Sequence, residues 1–242
     1  FQRQQKVAHH DTAADLGASL SDPNTKLTVF APTNAAFAKI PEADLEKLLL
    51  PENKAVLTDV LLYHATAGEY EASQVVAESS LPTLQGNDAA ISTDGGPKID
   101  GASITSTDIP ASNGIIHVID TVMMPPTIAD IATSNPDFST LVAALSAADL
   151  VDEVSDPYAA LTVFAPTNAA FEALPAGTLD SLLLPENKDQ LAGILLYHVV
   201  GEELNATAVT AATSLTTLQG TDLTISTDGG PKVNGANITV TN

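Results

Sequence analysis

Leu27-Thr28-Val29-Phe30-Ala31-Pro32-Thr33-Asn34-Ala35-Ala36-Phe37 occurs twice in this chain, unchanged, the second time as Leu161 to Phe171. Around it the repeat widens. LLLPENK (48–54) returns at 182–188, LLYH (61–64) at 195–198, TLQG (83–86) at 217–220 and ISTDGGPK (91–98) at 225–232. Each pair is separated by 134 residues, and no gap is needed to align them. Solenoid units run to about 20–50 residues, so this period is that of a whole domain. The 242 residues therefore read as two modules in tandem, with expected boundaries at 1–125 and 126–242.

Within a module the signals change halfway. Thr28-Val29-Phe30 is a short β run that Pro32 stops, with Phe37 returning to the core. Thr33 suits the N-cap of a short helix. Pro41 followed by Glu42 and Asp44 starts another helix, where acidic groups favour the positive end of the dipole. Leu45, Leu48 and Leu49 give it an apolar stripe, and Val56, Leu57, Val60 and Leu61 form a further buried face. From Leu81 onward the pattern is that of strands, at Leu84, Ile91, Ile99, Ile104 and Ile115–Val122. Asp94-Gly95-Gly96-Pro97 is a hairpin-type turn. Ahead of copy two, Leu141, Val142, Leu145 and Leu150 have amphipathic spacing, with Ser139 or Asp137 as candidate cap. Copy one has only a weak helical pattern there, at Ala13–Leu20. Helices first and strands second make the class α+β.

Composition narrows function. Thirty acidic against nine basic side chains leave a net charge of −21. No Lys/Arg patch exists to replace phosphate counterions or to hold an anionic membrane surface, so neither nucleic acid nor such a membrane is an expected partner. Without cysteine, thiolate catalysis, disulfides and Cys-based metal sites are excluded. No run of about 18 apolar residues spans a membrane. Copy one continues past Asp108 as IPASNGIIHVIDTVMMPP, whereas copy two stops at Asn242, the residue aligned with Asp108. The expectation is a longer protein of which this is part, with a degenerate start to copy one and a missing closing strand in copy two.

No constellation points to catalysis. Gly-x-Ser-x-Gly is absent, and Thr93-Asp94-Gly95-Gly96 lacks the acidic spacing of a calcium loop. Of the five histidines only His9-His10 are adjacent, and they do not make a zinc site. His117 lies within an apolar strand and reads as core. His64, at the end of an apolar helix, reads as a donor to a backbone carbonyl that locks the following loop. The chain is expected to be no enzyme and to carry no cofactor or metal. Asn205-Ala206-Thr207 and Asn237-Ile238-Thr239 are glycosylation sequons.

These segments carry a family resemblance. TVFAPTNAAF in both copies resembles the first signature of the fasciclin-like domain, and NGIIHVIDTVMMP (113–125) resembles its second. Tyr63-His64 and Tyr197-His198 resemble the family's central Tyr-His pair. The likeness covers about residues 5–125 and 137–242. It is weaker before Leu27, and copy two lacks the second signature. It implies two tandem β-wedges, each of two sheets with a helical layer in its N-terminal half. It also implies an adhesion or matrix module, secreted or surface-held, that meets receptors, matrix components or glycans by several weak contacts. The family's Tyr-His pair is linked to integrin contact, which makes Tyr63, His64, Tyr197 and His198 adhesion candidates. Asp108-Ile109 resembles an Asp-Ile pair that some members use for adhesion. A second reading, an accessory or linker subunit docked on a larger complex, for example in a plastid lumen, stays open at this point.

Overall fold

The computed structural model describes residues 25–239. His9, His10 and the Ala13–Leu20 pattern lie outside the described residues. The chain divides into two compact units, Phe1–Pro125 and Pro126–Asn242.

In the first unit, Leu27–Pro32 forms strand β1. It runs parallel to β7 (Gly114–Ile119), paired at every residue from Leu27↔Gly114 to Pro32↔Ile119. On its other edge it pairs antiparallel with β2 (Ala65–Ala67). The full order is β2-β1-β7-β6-β5-β4-β3, with β3 Ser80–Pro82, β4 Asp88–Ser92, β5 Lys98–Ile99 and β6 Ala102–Ala111. Strand β6 is shared. Its first two residues pair with β5, and the rest pair with β7 through two register shifts. Bulges of this kind bend a strand and raise its twist, so one ladder is split into two halves joined by β6.

Helices cover the N-terminal half of this unit. Asn34–Phe37 (α1) is capped by Thr33, whose hydroxyl accepts from the Ala36 amide at 3.1 Å. Glu42–Leu48 (α2) has Pro41 at its N-cap and Glu42 and Asp44 in its first turn. Lys54–Tyr63 (α3) buries Leu57, Val60 and Tyr63, one face at helical spacing. Ala72–Val75 (α4) is a single turn. Phe30, Tyr63, Val75, Leu81, Ala89, Ile99, Ala102, Ile119 and Met123 make the core. The first signature thus serves packing, as its residues suggest, with one change of emphasis. Phe37 is half-buried, and Ala36 is the residue of that turn wholly lost to solvent.

Two turn assignments differ from the sequence reading. Leu84 is in no strand. Thr83 and Asn87 close a turn around it through the Thr83 amide and hydroxyl, both bonded to the Asn87 carbonyl at 3.2 and 2.7 Å. Leu81, three residues earlier in β3, takes the core position instead. A second hairpin lies between β5 and β6, where Asp100 and Gly101 take φ of 48° and 77°. Two consecutive positive φ values in a two-residue loop are the signature of a type I′ turn, for which Asp-Gly and Asn-Gly are the preferred pairs.

The second unit is built on helices α5 (Ile128–Ser134), α6 (Ser139–Ala147), α7 (Val151–Ser155), α8 (Asn168–Glu172), α9 (Thr178–Leu182), α10 (Lys188–Leu196) and α11 (Ala206–Ala211). Leu141, Ala144 and Leu145 of α6 pack with Leu191 and Leu195 of α10. The expected helix stops short of Leu150. Asp149 turns left-handed at φ 54°, the Leu150 amide bonds back to the Leu145 carbonyl and the Asp149 amide to the Ser146 carbonyl, a helix stop of the Schellman type. Neither Ser139 nor Asp137 caps α6. Asn168, from the copied signature, does the work, with its Oδ1 accepting from the Thr140 amide and its Nδ2 donating to the Pro136 carbonyl, each at 2.9 Å. The strands are short. Thr162–Val163 (β8) pairs with Val199–Val200 (β9), and β10 to β13 (Ser214–Thr216, Asp222–Ser226, Lys232–Val233, Ala236–Asn237) form a meander. Asn234-Gly235 repeats the tight turn at φ 46° and 82°.

Candidate functional site

Tyr63 and His64 close α3 and both face inward, with 2% and 5% of their surfaces exposed. The Tyr63 hydroxyl reaches the Asp88 carbonyl at 3.4 Å. Burial pushes its phenol well above the usual range, and the Asp100 and Asp88 carboxylates add to that. The His64 ring is engaged on both sides. Nδ1 lies 2.6 Å from the Val60 carbonyl and Nε2 is 3.0 Å from the Met123 amide. An amide N–H can only donate, so Nε2 accepts, and the proton sits on Nδ1, where the carbonyl takes it. This is the carbonyl-locking role read from the sequence, plus a partner 59 residues away.

Asp108 and Ile109 stand on the bulge of β6, and both are exposed, Ile109 at 40%. Asp108 has φ 57°, the left-handed region that Asp and Asn enter at least cost. Three bonds hold it there. Its Oδ1 accepts from the Ala72 amide at 2.8 Å, at the start of α4. Its own amide donates to His117 Nδ1 at 3.3 Å, and His117 Nε2 donates to the Tyr70 carbonyl at 2.8 Å. The His117 ring, fully buried, sits 5.5 Å from that of Phe30. His117 is therefore core, as read, and it also aims the Asp108–Ile109 bulge outward.

A hydroxyl missed in the sequence does similar work. Thr28, with no exposed surface, donates to the Gly68 carbonyl at 2.9 Å and accepts from the Tyr70 amide at 2.8 Å. Thr162 repeats this with the Glu202 carbonyl and the Leu204 amide, at 2.7 and 2.8 Å.

In the second unit Tyr197 and His198 are half-buried. His198 Nδ1 keeps the helical bond, to the Ile194 carbonyl at 2.8 Å. The Tyr197 hydroxyl lies 3.3 Å from the Asp222 carbonyl and accepts from Asn234 Nδ2 at 2.7 Å. Asn205 is exposed at the N-cap of α11, where its Oδ1 accepts from the Ala208 amide and leaves Nδ2 toward solvent. Asn237 is exposed in β13. The structure thus brings Tyr63 and His64 together inside, and places Asp108, Ile109, Asn205 and Asn237 on surfaces. Among the described residues no three His, Asp or Glu side chains are grouped to hold a metal ion, and no helix is long and apolar enough to cross a membrane.

A seven-stranded ladder bent at the bulges of β6 with helices on its N-terminal half, a Tyr-His pair ending the third helix and a parallel closing strand define a class. The chain belongs to the fasciclin domain family, whose model matches residues 4–125 and 136–242. It is similar to protein sll1483 of Synechocystis, 53% identical over 115 residues, 46% of this chain and 62% of that protein. It is also similar to the transforming growth factor-beta-induced protein ig-h3 of Sus scrofa, 30% identical over 224 residues, 90% of this chain and 32% of that protein. The chain thus spans less than two thirds of either relative. Among solved structures it resembles a FAS1 domain pair from the insect cell adhesion molecule fasciclin I, with a TM-score of 0.53 and 17% identity, covering 92% of this chain and 84% of that one. That likeness is one of fold.

Proposed function

We propose that this chain is a non-enzymatic adhesion or matrix module that works outside the cell or at its surface, through several weak contacts with proteins or glycans. Family membership supports the general reading, and one observation supports its site. Asp108 and Ile109 form a charged and apolar pair on an exposed bulge, held from beneath by His117 and α4. A carboxylate fixed beside an isoleucine gives a partner both an anion and an apolar contact at low entropic cost. Tyr63 and His64 serve this site by shaping the scaffold, and Tyr197 and His198 have the corresponding place in the second unit. Two units on one chain raise avidity by roughly 10²–10⁴ when both engage. Asn205 and Asn237 are the positions a glycan would occupy if the chain passes through a secretory route.

The test is adhesion of cells and matrix-coated beads to surfaces bearing the chain. The double variant Asp108→Asn, Ile109→Ser is expected to lose most adhesion while its thermal unfolding stays in place. Asparagine keeps an oxygen for the Ala72 amide and tolerates the left-handed backbone. Undiminished adhesion by a folded double variant removes this surface from the proposal.

A further inference from the structure

Two imidazoles in the first unit are used at both nitrogens, and they lie on either side of Phe30. His117 stacks near the Phe30 ring, and the Phe30 amide donates to the His64 carbonyl at 2.8 Å. His64 differs in what it holds. Its Nε2 accepts from the Met123 amide, in the stretch that follows β7. The strand ladder ends at Ile119, yet Val122 and Met123 beyond it are buried, Met123 at 2%. One imidazole nitrogen therefore ties the end of α3 to the segment that leads out of the unit.

We propose that His64 is an acid-operated latch: a proton taken up at Nε2 turns the acceptor of the Met123 amide into a second donor and frees the Val122–Met123 stretch from the end of α3. The bond to the Val60 carbonyl survives protonation, because Nδ1 already donates there. The Met123 bond cannot, because two N–H groups would then face each other. Little around the ring offsets this. From α3 it faces the Val60 carbonyl, from the closing segment the Met123 amide, and from β1 the Phe30 backbone. The carboxylate of the closing segment and the phenol next to His64 in sequence are committed elsewhere. Asp120 pairs with Lys39 at 3.3 Å and accepts from the Ser103 amide, and the Tyr63 hydroxyl turns to Asp88 and Asp100. Burial holds the His64 ring below the ordinary histidine value, and the Val60 carbonyl opposes this only in part.

The sign follows from linkage. The unfolded chain takes up this proton at about pH 6.5, and the folded unit takes it up at lower pH. The stabilisation is complete above the unfolded value and is lost as pH falls through the window below it. The latch is closed at neutral pH and opens below the ordinary histidine range, as protonation-driven histidine switches do.

The experiment follows amide exchange in the whole ¹⁵N-labelled chain from about pH 7.5 to about pH 4.5, corrected for the intrinsic pH dependence of exchange. Protection at Val122 and Met123 is expected to fall at least tenfold, with a midpoint matching the titration of the His64 ring nitrogens. Protection at Leu81 and Ile91 should hold over the same range. His64→Gln keeps a neutral donor and acceptor and should flatten the profile at Met123. Loss of protection at a pH unrelated to the His64 titration, or a wild-type profile in His64→Gln, overturns the latch. If the variant does not fold, the match between ring titration and Met123 exchange in the wild-type chain decides alone.

Discussion

Phe30 and Phe164 sit at the same place in identical eleven-residue stretches, yet their surroundings differ. Phe30 is 1% exposed in a six-residue strand, whereas Phe164 is half-buried next to a two-residue strand. Ala36 is wholly buried and its counterpart Ala170 is exposed. The sequence of the strand is not the cause, because it is the same. The cause is the partner. β7 pairs with all six residues of β1. Among the described residues β8 pairs only with β9. Strand propensity is in large part the packing a neighbour provides, and the two copies separate that contribution from intrinsic preference. The second unit rests instead on its helical cluster of Leu141, Leu145, Leu191 and Leu195.

The largest expected effect tests this directly. Phe30→Ala should destabilise the first unit by about 3–5 kcal/mol, the usual cost of emptying a closed aromatic site. Phe164→Ala in the same 242 residues should cost no more than about 2 kcal/mol, since less apolar area is removed from contact. Calorimetry of the whole chain reads both, with each transition assigned by the substitution that moves it. Equal costs would break the comparison and give burial back to the sequence of the strand.

A second substitution should make the first unit resemble the second. Gly114 begins β7 opposite Leu27, and a Cβ built there would stand 1.9 Å from the Leu27 carbonyl oxygen and 2.8 Å from its carbon. Backbone atoms cannot swing aside as a flexible side chain can. Gly114→Ala should therefore cost about 3 kcal/mol, the upper part of the usual overpacking range. Exchange of the Val29 and Phe30 amides should rise toward that of Val163 and Phe164. If the variant keeps the stability and exchange of the parent, the parallel pairing is not what buries β1.

What the sequence made legible follows from distance along the chain. The repeat, the α+β order, the Thr33 cap, the buried face of α3 and the Asp94–Pro97 turn are all set by neighbours within a few residues. So is the bond from His64 to Val60, four residues back. The unread features are non-local. Thr28 finds its partners about 40 residues on, at Gly68 and Tyr70, and His64 finds Met123 at a separation of 59. No periodicity carries such a pairing. The left-handed Asp108 was hidden for a related reason, since a bulge is defined by the opposite strand. Leu84 misled because a hydrophobic residue after a strand looks like its continuation, and only the Thr83–Asn87 closure makes it a turn. The tight Asp100-Gly101 turn was a local signal and could have been read.

That turn carries the finest difference between the copies. Asp100 and Asn234 occupy equivalent left-handed positions at φ 48° and 46°, and each reaches the tyrosine that ends the third helix of the repeat. Around Tyr63 stand two acceptors, the Asp88 carbonyl and the Asp100 carboxylate, for a single phenolic proton. Around Tyr197 stand one acceptor, the Asp222 carbonyl, and one donor, Asn234 Nδ2. The second arrangement uses the hydroxyl both ways and the first cannot. Asp100→Asn is therefore expected to stabilise the first unit slightly, by up to about 1 kcal/mol, and Asn234→Asp to cost the second a similar amount. The sharper readout is the phenol. Removing the Asp100 charge takes away a contribution that raises Tyr63, so its ionisation, followed by ultraviolet absorbance, should move down toward the ordinary tyrosine value, although burial keeps it raised. The chain has four tyrosines, so the shift should be visible as one quarter of the signal. An unchanged alkaline profile in Asp100→Asn would show that burial and Asp88 set Tyr63 without Asp100, and the charge difference between the two turns would then have no consequence for the Tyr-His pair.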